Sequence, residues 1–183
     1  MESRELPLLI VVRGPSGSGK STVARRLFER AVRRVCLIEQ DHYRFIFRPA
    51  GGGSLPNSTT IHRMIEQNVI SALTDGYDVI LEGILSERSY GVVLDRVLSL
   101  GMSDNFLYSF DLSIEETLRR HRLRVTADCG FTEDDMRGWY PNAHPWGHEL
   151  ERSIPESSSI DDIVNRITEE TQLLRRADGG ASL

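Results

Sequence analysis

Apolar residues follow two alternating rhythms along this chain. Leu8-Leu9-Ile10-Val11-Val12 is a continuous β-branched run, the pattern of a strand buried on both faces of a parallel sheet. The period then changes: Val23, Leu27 and Ala31 share one helical face, while Arg26, Arg30, Arg33 and Arg34 fall mostly elsewhere. Residues 35–40 predict a second strand, and residues 59–73 a helix whose inner side carries Ile61, Met64, Ile65 and Val69. Gly76 suits the end of that helix, before a third strand over 78–82. Tyr90, Val93, Leu94, Val97 and Leu98 repeat at helical spacing until Gly101. Residues 106–112 predict a fourth strand. Ser113 can cap a helix running to about residue 124, with Glu115 and Glu116 in its first turn. A short strand near 153–154 precedes a last helix striped by Ile160, Ile163, Val164, Ile167 and Leu174. Strands alternating with helices predict an α/β fold on a parallel sheet.

Composition narrows this picture. The chain has 183 residues, 39% hydrophobic and 27% charged, with a net charge of −5. That supports one core and excludes disorder for the bulk of the chain. The expected organisation is one domain over residues 1–176, with a lid at about 125–148 and a flexible tail over 177–183. The Gly51-Gly52-Gly53-Ser54 stretch reads as a mobile loop. No apolar run approaches the ~20 residues of a membrane span, and Met1-Glu2-Ser3-Arg4-Glu5 lacks the basic start of a signal peptide. Cys36 and Cys129 stand far apart in sequence, which fits a reducing compartment. The expected location is therefore cytoplasmic, with no membrane partner. The acidic balance gives no general bias towards nucleic acid, and the oligomeric state is left open. Of the 22 lysine and arginine residues Lys20 is the only lysine, so it is the one such side chain whose cation is a compact ammonium and not a planar guanidinium.

The neighbours of Lys20 explain it. Gly14-Pro15-Ser16-Gly17-Ser18-Gly19-Lys20-Ser21 has the spacing G-x-x-x-x-G-K-[ST] of a Walker A phosphate loop, between a predicted strand and a predicted helix. Glycines let successive N–H groups curl around a phosphate, and the helix N-terminus adds its positive end. The nucleotide-binding residues expected are Gly14, Ser16, Gly17, Ser18, Gly19, Lys20, Ser21 and Thr22. Lys20 is expected at the β- and γ-phosphates and Ser21 on Mg²⁺, which makes ATP and Mg²⁺ the implied cofactors.

Three features narrow a phosphate loop to phosphoryl transfer. Asp41 follows the second strand, and ligands of parallel sheets bind beyond the carboxyl ends of strands, so it is expected beside the loop as a general base. Arg44, three residues on, can hold an anion or fix that carboxylate. Glu82 ends the apolar run Val79-Ile80-Leu81 in the manner of a Walker B acid, serving the metal or pairing with Arg44. In Arg119-Arg120-His121-Arg122-Leu123-Arg124, Arg120 and Arg124 share a face and are expected on the phosphates; Arg119 and Arg122 read as solvated. Trp139, Tyr140 and Trp146 either stack on a ligand or pack the lid, and Cys129, His144 and His148 match zinc sites poorly.

The run from the phosphate loop through Asp41-His42-Tyr43-Arg44 to Arg120 and Arg124 resembles the P-loop kinases of the polynucleotide 5′-hydroxyl kinase type. It is also similar to zeta toxins, chloramphenicol phosphotransferases, and the gluconate and shikimate kinases of the NMP-kinase-like superfamily. Phe110-Asp111 and Thr132-Glu133-Asp134-Asp135-Met136-Arg137 belong to the same resemblance. It implies a three-layer P-loop NTPase fold, five parallel strands in the order 2-3-1-4-5 flanked by helices. It also implies a catalytic set of Asp41 as base, Arg44 on the acceptor side, Lys20, Arg120 and Arg124. Polynucleotide kinases present a basic channel, whereas this chain is acidic with a short acceptor loop; uridine kinases carry a related aspartate and aromatic.

The function expected is thus an ATP-dependent kinase acting on a hydroxyl of a small, nucleoside-like or antibiotic molecule. Two alternatives stand beside it: a polynucleotide or RNA 5′-hydroxyl kinase, and a nucleotide-binding regulatory module. Against the last, the chain has no N-K-x-D guanine-reading motif.

Overall fold

Five parallel strands hydrogen-bond in the order β2-β3-β1-β4-β5. They are β1 (Leu8–Arg13), β2 (Val35–Glu39), β3 (Asp78–Gly83), β4 (Asp104–Asp111) and β5 (Glu151–Pro155). The helices are α1 (Lys20–Arg30), α2 (Gln40–Phe45), α3 (Thr59–Thr74), α4 (Glu87–Leu98), α5 (Ile114–Arg122), α6 (Glu133–Trp139) and α7 (Ile160–Thr171). This computed structural model describes residues 6–47, 59–123 and 131–174. The fold is that of a P-loop NTPase, as expected. No described helix is long and apolar enough to cross a membrane.

β1 lies centrally between β3 and β4, and its six residues are all buried. Period-two alternation divides them between two cores. Leu8, Ile10 and Val12 face α1 and α7, meeting Val23, Ala24, Leu27, Ile163, Val164 and Ile167. Leu9 and Val11 face α3 and α4, meeting Ile61, Ile65, Val69, Leu94 and Val97. Each such side chain contributes roughly 1.5–3 kcal/mol relative to exposure, so both layers hold the strand that delivers the phosphate loop.

Element ends differ from expectation where side chains intervene. The second strand stops at Glu39, and Gln40 opens a short helix where a loop was expected. Ser113 caps α5, its hydroxyl accepting from Glu116 N, but α5 ends at Arg122. Arg124, Cys129 and the Gly51–Gly53 loop lie outside the described residues. Gln172, at φ +56°, ends α7 before Leu174. Within the segment expected as a lid, α6 begins with a reciprocal capping box between Thr132 and Asp135 and continues into a 3-10 turn, Tyr140–Asn142.

Candidate active site

Three glycines shape the phosphate loop. Gly14, Gly17 and Gly19 have φ of +143°, +82° and +100°, values side chains resist. Space excludes a side chain as well. A Cβ on Gly14 would lie 2.6 Å from Phe110 Cβ, and one on Gly17 would sit 3.0 Å from Thr117 O and 3.1 Å from Met136 Cε. β4, α5 and α6 therefore enclose the loop. Lys20, only 7% exposed, donates to Pro15 O at 3.2 Å and lies 3.8 Å from Glu82 Oε1. Ser21 Oγ donates to the same Glu82 oxygen at 3.0 Å.

The alternatives for Glu82 separate here. Its contacts are with Ser21 and Lys20, whereas Arg44 Nη1 donates to Asp41 Oδ1 at 3.2 Å. Of the two carboxylates expected as partners of Arg44, Asp41 is the one it meets, because α2 places residues 41 and 44 on one face. Burial pushes the Glu82 carboxyl above its ordinary range; Lys20 and Ser21 pull it down, and the charges of Asp41 and Glu39 push it up again. Asp41 is therefore within electrostatic reach of the residue that holds Ser21. Its own carboxylate is exposed, in the first turn of α2 and not on the strand. Glu39 instead faces Arg25, whose Nε donates at 2.9 Å.

The opposite wall is built from α5 and the loop between β5 and α7. Arg120 donates through Nη1 to Ser18 O and through Nη2 to Glu156 O, both at 2.8 Å, and through Nε to Glu116 at 2.6 Å. Glu156 returns the contact, its carboxylate accepting from Ser113 N and Oγ at 3.0 and 2.8 Å. Hydrogen bonds from Arg119 and Arg120 hold the Glu116 carboxyl down, to about 2. A cavity of about 370 Å³ opens between Gly17, Gly19, Thr22, Arg120 and Ser158–Ile160. Arg119 is exposed, as expected, while Arg122 makes a two-pronged pair with Glu133 that ties α5 to α6.

Several residues escaped the sequence reading. Arg13 is fully buried at the foot of the phosphate loop, donating to Leu85 O, Ser109 Oγ, Glu151 Oε1 and His144 O. A charge closing an apolar strand was its one signal. Glu156 and Gln40 had none, since their partners are distant in sequence, whereas Glu116, read only as a first-turn acid, pairs with Arg119 and Arg120 on its own helix. The aromatics pack: Trp139 rests on Phe131, Tyr140 donates to Leu112 O at 2.7 Å, and Trp146 joins the α3–α4 core. His148 Nδ1 accepts from Leu150 N, and the backbone of His144 serves Arg13.

A strand, a glycine cradle and a buried lysine–glutamate pair joined by Ser21 define a P-loop domain with a kinase-like fold. The chain belongs to the AAA domain family AAA_33, whose profile matches residues 9–128. Solved kinases share the fold. A gluconokinase from Sinorhizobium meliloti 1021 is 21% identical with a TM-score of 0.63, over 94% of this chain and 100% of that one. The Mycobacterium tuberculosis APS kinase CysC, in complex with AMPPNP and APS, is 16% identical with a TM-score of 0.65, over 92% and 99%. A chain of the Pnkp1/Rnl/Hen1 complex is 29% identical with a TM-score of 0.52, over 72% of this chain and 45% of that one. No curated protein matches the sequence.

Proposed function

We propose that this protein is an ATP- and Mg²⁺-dependent kinase that transfers the γ-phosphate to a hydroxyl of a small molecule. The observation that carries the proposal is the convergence of Lys20 and Ser21 on Glu82, with the charge of Asp41 acting on the same carboxyl and Arg44 paired to Asp41. Ser21 Oγ and a Glu82 oxygen, 3.0 Å apart, are hard oxygen donors suited to Mg²⁺. When bound, the ion neutralises charge on the β- and γ-phosphates.

The chain's own groups divide the remaining work. The N–H groups of residues 16–22 and the start of α1 cradle the phosphates, and Lys20 supplies a cation to the transferring group. Asp41 orients the acceptor hydroxyl and takes its proton late, as a loose transition state allows. Arg44 fixes that carboxylate and faces the acceptor. Arg120, expected on the phosphates, has its fork engaged by Glu116, Ser18 O and Glu156 O, so it acts by holding the phosphate loop against the β5–α7 loop. Arg124, outside the described residues, is proposed to act on the phosphates.

The second reading is an RNA 5′-hydroxyl kinase. It is favoured by the 29% identity to a chain of Pnkp1/Rnl/Hen1, which a related structure describes as an RNA repair complex. The test is label transfer from γ-labelled ATP, with Mg²⁺ or EDTA, to nucleosides, sugar acids and aminoglycoside- or phenicol-type alcohols, alongside a 5′-hydroxyl oligoribonucleotide. Mg²⁺-dependent labelling of a small alcohol supports the first reading, and labelling of the oligonucleotide alone supports the second. Absence of MgATP binding overturns both.

A further inference from the structure

Two polar side chains that directly precede proposed functional residues grip the same turn. Arg13 stands immediately before Gly14, the first glycine of the phosphate loop, and Gln40 immediately before Asp41. Both reach residues 83–85, the turn that directly follows Glu82. Arg13 Nε donates to Leu85 O at 3.2 Å. Gln40 Oε1 accepts from Ile84 N at 2.9 Å and from Leu85 N at 3.4 Å.

The geometry explains why an amide is needed there. The β2–β3 ladder pairs Val35 with Asp78 and ends at Glu39 with Glu82. Beyond that pair the backbone of Gln40 has turned into α2, and its side-chain oxygen takes over the N–H groups the ladder would have used. Gln40 is 5% exposed. Its side chain fills the space over Gly83, where an added Cβ would lie 2.5 Å from Gln40 Cβ. The Gln40 amide is also hydrogen-bonded to Tyr90 of α4, whose ring lies 4.2 Å from that of His62 of α3. Leu85 itself has φ +42° with a fully buried side chain, a backbone state an L residue keeps only when its surroundings over-determine it. Gln40 on its N–H and Arg13 on its C=O are those surroundings.

We propose that Gln40 is the positioning residue of Asp41. Through the 83–85 turn it sets the first turn of α2, and with it the Asp41 carboxylate, at a fixed offset from Glu82 and from the phosphate loop that Arg13 anchors to the same Leu85. This rests on the reading of Asp41 as the base. The side chain touches neither nucleotide nor acceptor and acts only through the turn. An amide also suits the site better than a carboxylate, since it adds no charge beside Asp41, Glu82 and Glu39.

The experiment is a double-mutant cycle on the full chain with Gln40→Met, Asp41→Asn and both together. Transfer is read from γ-labelled ATP to nucleosides and to a 5′-hydroxyl oligoribonucleotide, and MgATP binding from a fluorescent ATP analogue. Met keeps the length and volume of Gln and removes its hydrogen bonds. Gln40→Met is expected to lower kcat by about 10–100-fold, the scale of a misplaced catalytic group, with MgATP affinity within about twofold of wild type. In the Asp41→Asn background the same change is expected to cost less than about twofold, because the group it positions is already disabled. If Gln40→Met does not fold, Gln40→Asn enters the same cycle, since it keeps an amide in the buried site but is one methylene shorter and withdraws the oxygen from Ile84 N and Leu85 N. Multiplicative losses, or a loss confined to MgATP affinity, overturn the positioning role while leaving Asp41 as base. Wild-type transfer by Asp41→Asn alone overturns the base reading and this inference together.

Discussion

Arg13 and Glu151 lie 138 residues apart in the chain and 2.8 Å apart in the fold, as an ion pair with both side chains almost entirely out of solvent. Burial lowers the Arg13 guanidinium, and Glu151 supports its charged form. Glu151 is pushed up by burial but ends below its ordinary range, because Ser109, two backbone N–H groups and Arg13 stabilise the carboxylate. Removing one partner leaves the other as an uncompensated buried charge. Glu151→Ala is expected to cost about 3–5 kcal/mol, lowering the melting temperature by roughly 10 °C. A shift below about 3 °C in a calorimetric scan refutes this.

Lys20 is the only ammonium side chain available to the phosphates. Lys20→Ala is expected to abolish transfer, and Lys20→Met to weaken MgATP binding in a fluorescent-analogue titration. Arg cannot substitute, because its planar fork does not fit a site built around Pro15 O and Glu82.

Asp41→Asn preserves size and one acceptor oxygen but cannot take a proton. Transfer is expected to fall by about 10²–10⁴ with MgATP binding unchanged. Glu39→Gln is the control, since Glu39, the last residue of β2, is engaged by Arg25 of α1. Loss of transfer in Glu39→Gln with retention in Asp41→Asn shows that the base is Glu39, two residues earlier.

Arg120 holds two backbone carbonyls with one planar fork. Arg120→Lys is expected to behave like Arg120→Ala, since an ammonium cannot span Ser18 O and Glu156 O together. Both variants should lower transfer and speed amide exchange in residues 17–20. Arg119→Ala should do neither, because Arg119 is exposed beside Glu116. Similar exchange in the Arg120 and Arg119 variants contradicts the bridge.

Glu82 gives a pH signature. An acid whose folded pKa is raised binds its proton more tightly folded than unfolded, so its contribution to stability is lost as pH rises through the carboxylate range to the folded value. Glu82→Gln stays neutral at every pH. The fall in wild-type melting temperature between about pH 4 and neutrality is therefore expected to be shallower in Glu82→Gln, which also loses Mg²⁺-dependent turnover. An equally steep fall in both proteins refutes the raised Glu82 carboxyl.

The strand–loop–helix at 8–30, the alternation of later elements, the Ser113 cap and the Walker spacing were legible in sequence because their causes are local. Apolar period, glycine conformation and capping act within a few residues. The sheet order came from family resemblance, and β2-β3-β1-β4-β5 follows it. What only the tertiary structure decided is pairing across distance. Glu82 met Ser21 and Lys20 of the phosphate loop, leaving Arg44 to its local partner Asp41 on the short helix that Gln40 opens. Arg120 met Ser18 and Glu156, Arg122 met Glu133, and Arg13 met Glu151. Such partners are set by which elements the sheet brings side by side, and hydrogen-bonding side chains carry no period that announces them. The sequence by itself determined which residues could bind phosphate; the packing of β3, α2 and α5 around β1 decided which polar groups hold them there.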